Sequence, residues 1–459
     1  MNKNDAKNTS IYELNGRPPL RQAFPLGFQQ LLAMFVGNIV PMLLVSKLAD
    51  LPPEQSTLLL QCSILGAGVA TLIQAFPLKF FNIQIGSGLP VMMGLTYTFL
   101  PICISVSIKY GLGVLFGAQL VGAIFSIFIG LFLPKIRRFF PPIVTGTIIV
   151  SIGVSCFPIA AYNLAGGQGA PDLGAVHNWI IGSIVIITIL LCSGFGKRLV
   201  NAAAILIGML TGYIVAVIWG IVDFSPIAEA AWFALPRPMA FGIEFNFQLT
   251  IVFVLLFFIN AVEMTGDFTV SATGGLGRQP KDKELTGGIV GNAVSCMFAS
   301  FFNCFATGTY SQCSGIVALT KVCSRFVMGC AAITLIISAV CPKLSAILST
   351  IPNCVIGGAT IVVFSMIALS GMNLVSESRF TSRSMLICGT ALALGLGVSF
   401  SKEILAGAGE YVQMFFGESS IILVAGVALF LNIILPKNDI DKQVEQEMLD
   451  AIRATSNEA

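Results

Sequence analysis

The sequence predicts an all-α polytopic membrane protein, and three observations predict it. Of 459 residues, 56% are hydrophobic and only 10% are charged, with a mean hydropathy of +0.89; an average soluble domain carries roughly 25% charged residues. Apolar runs such as LLAMFVGNIVPMLLV, GVLFGAQLVGAIFSIFIGLFLP, WIIGSIVIITILLC and IILVAGVALFLNIILP recur from end to end, on the scale needed to cross about 30 Å of hydrocarbon. Two segments, one in each half of the chain, interrupt this pattern with glycine, serine and proline.

Dividing the chain at its charges, prolines and glycine-rich breaks gives fourteen candidate crossings, near 26–47, 57–76, 84–101, 112–133, 141–160, 178–194, 199–220, 249–267, 286–303, 312–322, 326–349, 354–374, 383–399 and 419–436. They form one transmembrane domain, 26–436, between an N-terminal tail, 1–25, and a C-terminal tail, 437–459. The polar start lacks the short apolar core and small-residue cleavage site of a signal peptide, so the first span is expected to stay in the mature protein. With both termini placed in the cytoplasm, twenty basic residues fall inside, including Lys3, Lys7, Lys79, Arg137, Arg138, Lys283, Lys321, Arg325 and Arg453. Only Lys47, Lys109, Arg237, Lys343 and Lys402 fall outside. That asymmetry is the positive-inside pattern of an even number of spans.

Fourteen is twice seven, and the third and tenth crossings are the anomalous pair. The third lies along IQIGSGLPVMMGLTYTFLP and the tenth lies within FATGTYSQCSGIVALTKVCSR. Seven spans per half would invert the second half relative to the first, and paired interrupted segments of this kind point to an inverted-repeat secondary transporter with its site at the midplane. Irregular backbone is tolerated at membrane depth only where protein covers it or a cavity adjoins it, which makes its unpaired N–H and C=O groups available to a ligand. Two kinked structural helices are the alternative.

Inside the spans, ionisable side chains are nearly absent except in FFINAVEMTGDFTVSA. Glu263 and Asp267 are spaced i and i+4 there, on one face of the eighth helix. An acid near the bilayer centre costs about 2.5 to 3.5 kcal/mol, so the pair is expected to face a polar cavity and to bind substrate or a proton. The competing reading is an interfacial acid pair, which the nearby Gly274, Gly275 and Gly277 keep open for Asp267 more than for Glu263. Most of the twelve cysteines, including Cys62, Cys103, Cys156, Cys192, Cys296 and Cys388, lie in apolar runs without paired spacing and read as small hydrophobes rather than disulfide or metal ligands. The single histidine, His177, reads as a loop residue. No cofactor or metal site is expected, and no nucleophile, base and orienting residue assemble as an enzyme would need.

At these residues the chain resembles the nucleobase–ascorbate transporter family, the uracil/xanthine permease type of cation symporter. The family signature is Gln, Glu or Pro, then Asn, any residue, Gly, four residues, Thr, and a basic residue or Gly. QCSGIVALTK matches it at Gln312, Gly315, Thr320 and Lys321. FPPIVTGTIIVSIG, NLAGG and LPVMMGLTYTF extend the likeness over most of the chain. The resemblance implies two inverted sets of seven segments with short strands in segments three and ten. It also implies a core of segments one to four and eight to eleven, which carries substrate against a gate of five to seven and twelve to fourteen. A homodimer in the cell membrane, with no nucleic-acid partner, is implied as well.

Uracil-type members pair Glu in the signature with His four residues after the helical Glu, xanthine- and urate-type members pair Gln with Asp, and ascorbate-type members have Pro in the signature. Gln312 with Asp267 therefore resembles the purine branch. An oxidised purine offers alternating ring N–H donors and C=O acceptors, which a carboxylate meets only at the donors and an amide at both. Glu263, Gln312, Tyr97, Ser314 and Gly315 are the expected substrate residues, with Tyr97 supplying backbone groups and an aromatic face. The chain departs from the family at three places: Gln30 replaces a frequent His, Asn292 an acid, and Cys313 the signature Asn. The first two leave Glu263 and Asp267 as the obvious intramembrane proton carriers, and Cys313 bears on which purine fits. Proton symport of xanthine or urate is the expected function. Sodium symport, uncoupled exchange, a uracil or other pyrimidine carrier, and a sulfate-permease-type anion transporter stay open.

Overall fold

A computed structural model describes residues 10–81, 83–136, 140–379, 381–409, 412–417, 419–437, 442, 443 and 446. Lys3, Lys7, Arg137, Arg138, Arg453 and most of the C-terminal tail lie outside the described residues. The chain is mostly helical, as lipid demands of a backbone that must satisfy its own hydrogen bonds.

Helices α1 (Leu20–Leu48) and α2 (Pro53–Ala75) open the chain. Proline at the first position of α2 leaves nothing unpaired, because that N–H has no intrahelical partner in any case. A hairpin, β1 (Leu78–Phe80) with β2 (Ile83–Ile85), leads to the three-residue strand β3 (Met93–Leu95). A 3-10 turn (Tyr97–Phe99) then enters α3 (Leu100–Lys109). There follow α4 (Leu112–Ile136), α5 (Pro142–Ser155), α6 (Phe157–Leu164), α7 (Val176–Phe195), α8 (Arg198–Ala202), α9 (Ala204–Ile218) and α10 (Ser225–Glu229). The second half opens with α11 (Phe247–Val270), α12 (Asp282–Phe301), strand β4 (Thr307–Thr309) and α13 (Ser311–Thr320). It continues through α14 (Arg325–Ala339), α15 (Pro342–Ser349), α16 (Asn353–Glu377), α17 (Ser382–Phe400) and α18 (Ser420–Ile434).

Eight helical stretches among the described residues are long and apolar enough to cross a membrane, and α14 with α15 is apolar and long enough only as a pair, bent by 82° at the break as a broken span or a re-entrant loop would be. The chain is a multi-pass membrane protein. The expected crossing 84–101 is not a single helix: it is a strand, a turn and a short helix that runs on to Lys109. The strand of the tenth segment precedes the expected range 312–322, because Thr307–Thr309 pairs with β3 before the helix begins. His177 falls in the first turn of α7 rather than in a loop, and its Nε2 lies 3.2 Å from Asp172 Oδ2. Cys192 and Cys388 are only half-buried, unlike Cys62, Cys103, Cys156 and Cys296.

What positions the centre of the molecule is the antiparallel pair β3–β4, in register Met93 with Thr309, Gly94 with Gly308 and Leu95 with Thr307. The two glycines face each other. A Cβ on Gly94 would lie 2.6 Å from the Tyr310 ring, and one on Gly308 would lie 2.9 Å from Asn260 Oδ1. Small residues serve the same end elsewhere: α5 lies against α16 so closely that a Cβ on Gly153 would lie 2.6 Å from the backbone N of Ala368. Helix association in lipid relies on such close approach.

Candidate functional site

The strands are held by the helices on either side of them, and the bonds to the first residue of each strand match in the two halves. Met93 N–H donates to Thr71 Oγ1 on α2 at 3.0 Å, and the Thr71 hydroxyl donates to Met93 O at 3.3 Å. In the second half, Thr307 N–H donates to Cys296 Sγ on α12 at 3.2 Å, and that thiol reaches Thr307 O at 3.7 Å. Asn38 on α1 accepts from Leu95 N–H at 2.9 Å, and Asn260 on α11 donates to Thr307 O at 3.1 Å. The strand ends are related in the same way: Thr96 N–H donates to Ala306 O and Tyr310 N–H to Met92 O, both at 3.1 Å. A short chain of apolar and polar residues has become a rigid crossing point at which no backbone polar group need be left orphaned.

A cavity of about 370 Å³ opens beside this crossing, within the range of small-molecule sites. Its polar wall is Thr96 and Tyr97 from the third segment, Glu263 from α11, and Thr309, Ser311 and Gln312 from the tenth. The opposite wall is apolar: Ile149 and Ile152 from α5, Ile205 from α9, and Val363, Met366 and Ile367 from α16. Ser370 and Asn373 carry the lining one further turn along α16.

Glu263, Gln312 and Tyr97 thus line one cavity. Glu263 is steadied from behind, since the Thr98 hydroxyl donates to its Oε2 at 2.6 Å and the Thr96 hydroxyl donates to Thr98 Oγ1 at 3.2 Å. Tyr97 is 8% exposed, its hydroxyl donates to Gly37 O at 2.9 Å, and its ring meets Phe364 edge-on at 5.5 Å. Among the described residues nothing partners the Gln312 carboxamide, which leaves both its donor and its acceptor for the cavity.

The remaining expected site residues lie outside the lining. Asp267 is 7% exposed, and its Oδ2 accepts from the Thr309 hydroxyl at 2.5 Å. Asn292 Oδ1 accepts from Thr307 Oγ1 at 2.9 Å, which ties it to strand β4. Cys313 is buried, with its thiol 3.5 Å from the backbone carbonyl of Gln30. Among the described residues the buried Gln30 Oε1 and Ser314 Oγ have no hydrogen-bond partner, and, its own stretch of helix aside, none lies within 4 Å of where a Gly315 Cβ would sit.

Sequence reasoning passed over Thr98 and Thr309, the hydroxyls that hold the two acids, and Asn38 and Asn260, which hold the strands. The asparagines were visible as amides inside the apolar runs FVGNIVP and FFINAVE. The threonines gave no such signal, because a hydroxyl in a membrane helix ordinarily bonds its own backbone, as Thr188 and Thr211 do here.

A family model described as Permease family, Xan_ur_permease, matches residues 21–404. The nucleobase transporter PlUacP of Paenibacillus larvae is 33% identical over 386 residues, covering 83% of this chain and 87% of that protein. The uric acid permease PucJ of Bacillus subtilis is 32% identical over 426 residues, 91% of this chain and 93% of that protein. The xanthine permease XanQ of Escherichia coli is 30% identical over 452 residues, 94% and 95% of the two. Among solved structures, the transmembrane domain of the cyanobacterium bicarbonate transporter BicA aligns with a TM-score of 0.56 at 14% identity, covering 90% of this chain and 97% of that one. The murine Slc26a9 anion transporter aligns with a TM-score of 0.65 at 11% identity, covering 90% and 68%. At such identity these two structures bear on the fold alone. The chain belongs to the Permease family, the nucleobase–ascorbate transporters of the uracil/xanthine permease type.

Proposed function

We propose that the protein is a secondary active transporter that imports an oxidised purine nucleobase such as xanthine or urate by proton symport. One observation carries this reading: a carboxylate, Glu263, and a carboxamide, Gln312, that nothing partners among the described residues, line the same cavity as Tyr97. The carboxylate accepts ring N–H bonds, the amide makes a donor–acceptor pair with an N–H and a C=O, and the apolar wall covers the ring faces. The names of the uric acid permease PucJ and the xanthine permease XanQ agree with it. An anion carrier of the sulfate-permease type fits less well, because sulfate brings no N–H donor to offset its repulsion by the Glu263 carboxylate.

In this reading the fourteen segments form two inverted sets of seven. The matching bonds about β3 and β4 support that symmetry, Thr71 holding Met93 as Cys296 holds Thr307, with Thr96 bonded to Ala306 as Tyr310 is to Met92. Segments one to four and eight to eleven form the core that carries the polar wall, and segments five to seven and twelve to fourteen form the gate that carries the apolar one. Both termini are cytoplasmic, the protein sits in the cell membrane as a homodimer, and it is not an enzyme. Glu263 and Gln312 bind substrate, and Asp267 takes the coupled proton, since Gln30 and Asn292 do not titrate. Uptake of labelled xanthine, urate, uracil and sulfate into a transport-deficient cell tests the substrate assignment. Saturable uptake of xanthine or urate is expected; uracil or sulfate transported in preference to either purine would overturn it. Accumulation that follows sodium at fixed pH would replace the proton as coupling ion.

A further inference from the structure

We propose that Thr309 is a positioning residue that passes the protonation state of Asp267 to the substrate cavity, an inference that rests on Asp267 being the coupling acid. Asp267 is buried and is not part of the cavity lining, whereas Thr309 touches both sides: it lines the cavity, and its hydroxyl donates to Asp267 Oδ2 at 2.5 Å. Its backbone cannot swing. Thr309 is paired with Met93 across the strand crossing, and the next residue donates its N–H to Met92 O at 3.1 Å. The branched side chain is stiff at χ1 as well, so the freely moving part is the hydroxyl hydrogen, which turns about its C–O bond.

An ionised Asp267 is acceptor-only and holds that hydrogen. When a proton from water binds the carboxylate, the new O–H donates to Thr309 Oγ, and the Thr309 hydrogen turns toward the cavity, where a carbonyl of the purine accepts it. One proton has arrived on Asp267, no covalent bond of Thr309 has broken, and the same proton leaves Asp267 after substrate is released. Protonation is thereby read as one additional hydrogen bond to substrate. Other groups near this acid are Glu263 one turn back on the same helix, Cys313 on the segment after β4, and Ser311, whose hydroxyl is close to the Asp267 carboxylate and which lines the cavity; Tyr310, next to Thr309, is close to Glu263.

The test is the affinity of the purified full-length chain for labelled xanthine across a pH series, in wild type, Asp267→Asn, Thr309→Val, Thr309→Ser and Ser311→Ala. Wild type should bind more tightly as pH falls. Asp267→Asn, whose amide donates to Thr309 at every pH, should bind at the tight limit with the extra pH response removed. Thr309→Val keeps the shape but has no hydroxyl, and should lose the same response while binding about tenfold more weakly at low pH; Thr309→Ser should restore both. If Thr309→Val is not recovered from the membrane, Thr309→Ala carries the same comparison. A wild-type pH response in the hydroxyl-free variant alongside a lost response in Asp267→Asn overturns the relay and leaves the coupling acid standing, as does a response lost in Ser311→Ala alone. A wild-type response retained in Asp267→Asn overturns the assignment of Asp267 itself.

Discussion

Two acids one helical turn apart on α11 are treated in opposite ways. Glu263 faces the cavity directly and is held from behind by Thr98, which does not line it. Asp267 sits behind the wall, and the threonine that holds it, Thr309, is the group that lines the cavity. The hydroxyls come from opposite sides of the strand crossing, Thr98 just past β3 and Thr309 within β4. In the proposed mechanism the difference lets one helix serve two tasks: an acid that lines the cavity would act through its own bonds, and an acid behind the lining would act through a neighbour.

The comparison breaks most visibly at Asp267. Asp267→Asn is expected to abolish uphill accumulation driven by an imposed pH gradient in proteoliposomes while exchange of labelled for unlabelled purine continues; undiminished accumulation would remove Asp267 from the coupling. A smaller effect is expected at the amide of the cavity. Gln312→Glu replaces a donor–acceptor group with an acceptor-only one facing a purine carbonyl, so xanthine should bind about tenfold more weakly, in line with roughly 1 to 3 kcal/mol for an unsatisfied buried polar group. Competition by uracil that exceeds every purine in the wild type would contradict the purine assignment outright.

The crossing itself can be probed through its glycines. Gly94→Ala places a methyl group against the Tyr310 ring and Asn38, and should lower the thermal midpoint of the purified protein, since overpacking a filled interior costs about 1 to 3 kcal/mol; an unchanged midpoint would mean the strands separate at no cost. The smallest effect is expected for Thr98→Val. It removes one bond to Glu263 but leaves the carboxylate facing the cavity, so purine affinity should fall only a few-fold, consistent with about 1 kcal/mol for a hydrogen bond with solvent as the alternative. A loss as large as that of removing the acid would place Thr98 in the ligand site itself.

The multi-pass character was legible in the apolar runs, and so was Glu263 as an acid inside one of them; Gln312 and Tyr97 came from the family resemblance, and all three line the cavity. The pairing of Met93–Leu95 with Thr307–Thr309 was not legible from periodicity, because three-residue strands are too short to show an alternation; the family resemblance supplied the expectation of strands, and dividing the chain at its charges, prolines and glycines started the tenth segment several residues late. The apolar wall was invisible for a different reason. Ile149, Ile152, Val363 and Ile367 look like any lipid-facing residues in sequence, and only the packing of α5 against α16 turns them toward the cavity. Thr309 was hidden because its meaning lies in two contacts made across the fold, to Asp267 and to the cavity.

The most direct test of the divided roles is the dissociation constant for labelled xanthine, measured side by side on purified wild type, Glu263→Gln and Asp267→Asn at one acidic pH. Loss of the charge-assisted bonds to Glu263 is expected to cost roughly 1.5 to 3 kcal/mol, a weakening of about ten- to a hundredfold, whereas Asp267→Asn should stay within about threefold of wild type. Equal losses in the two variants, or a larger loss in Asp267→Asn, would contradict the account.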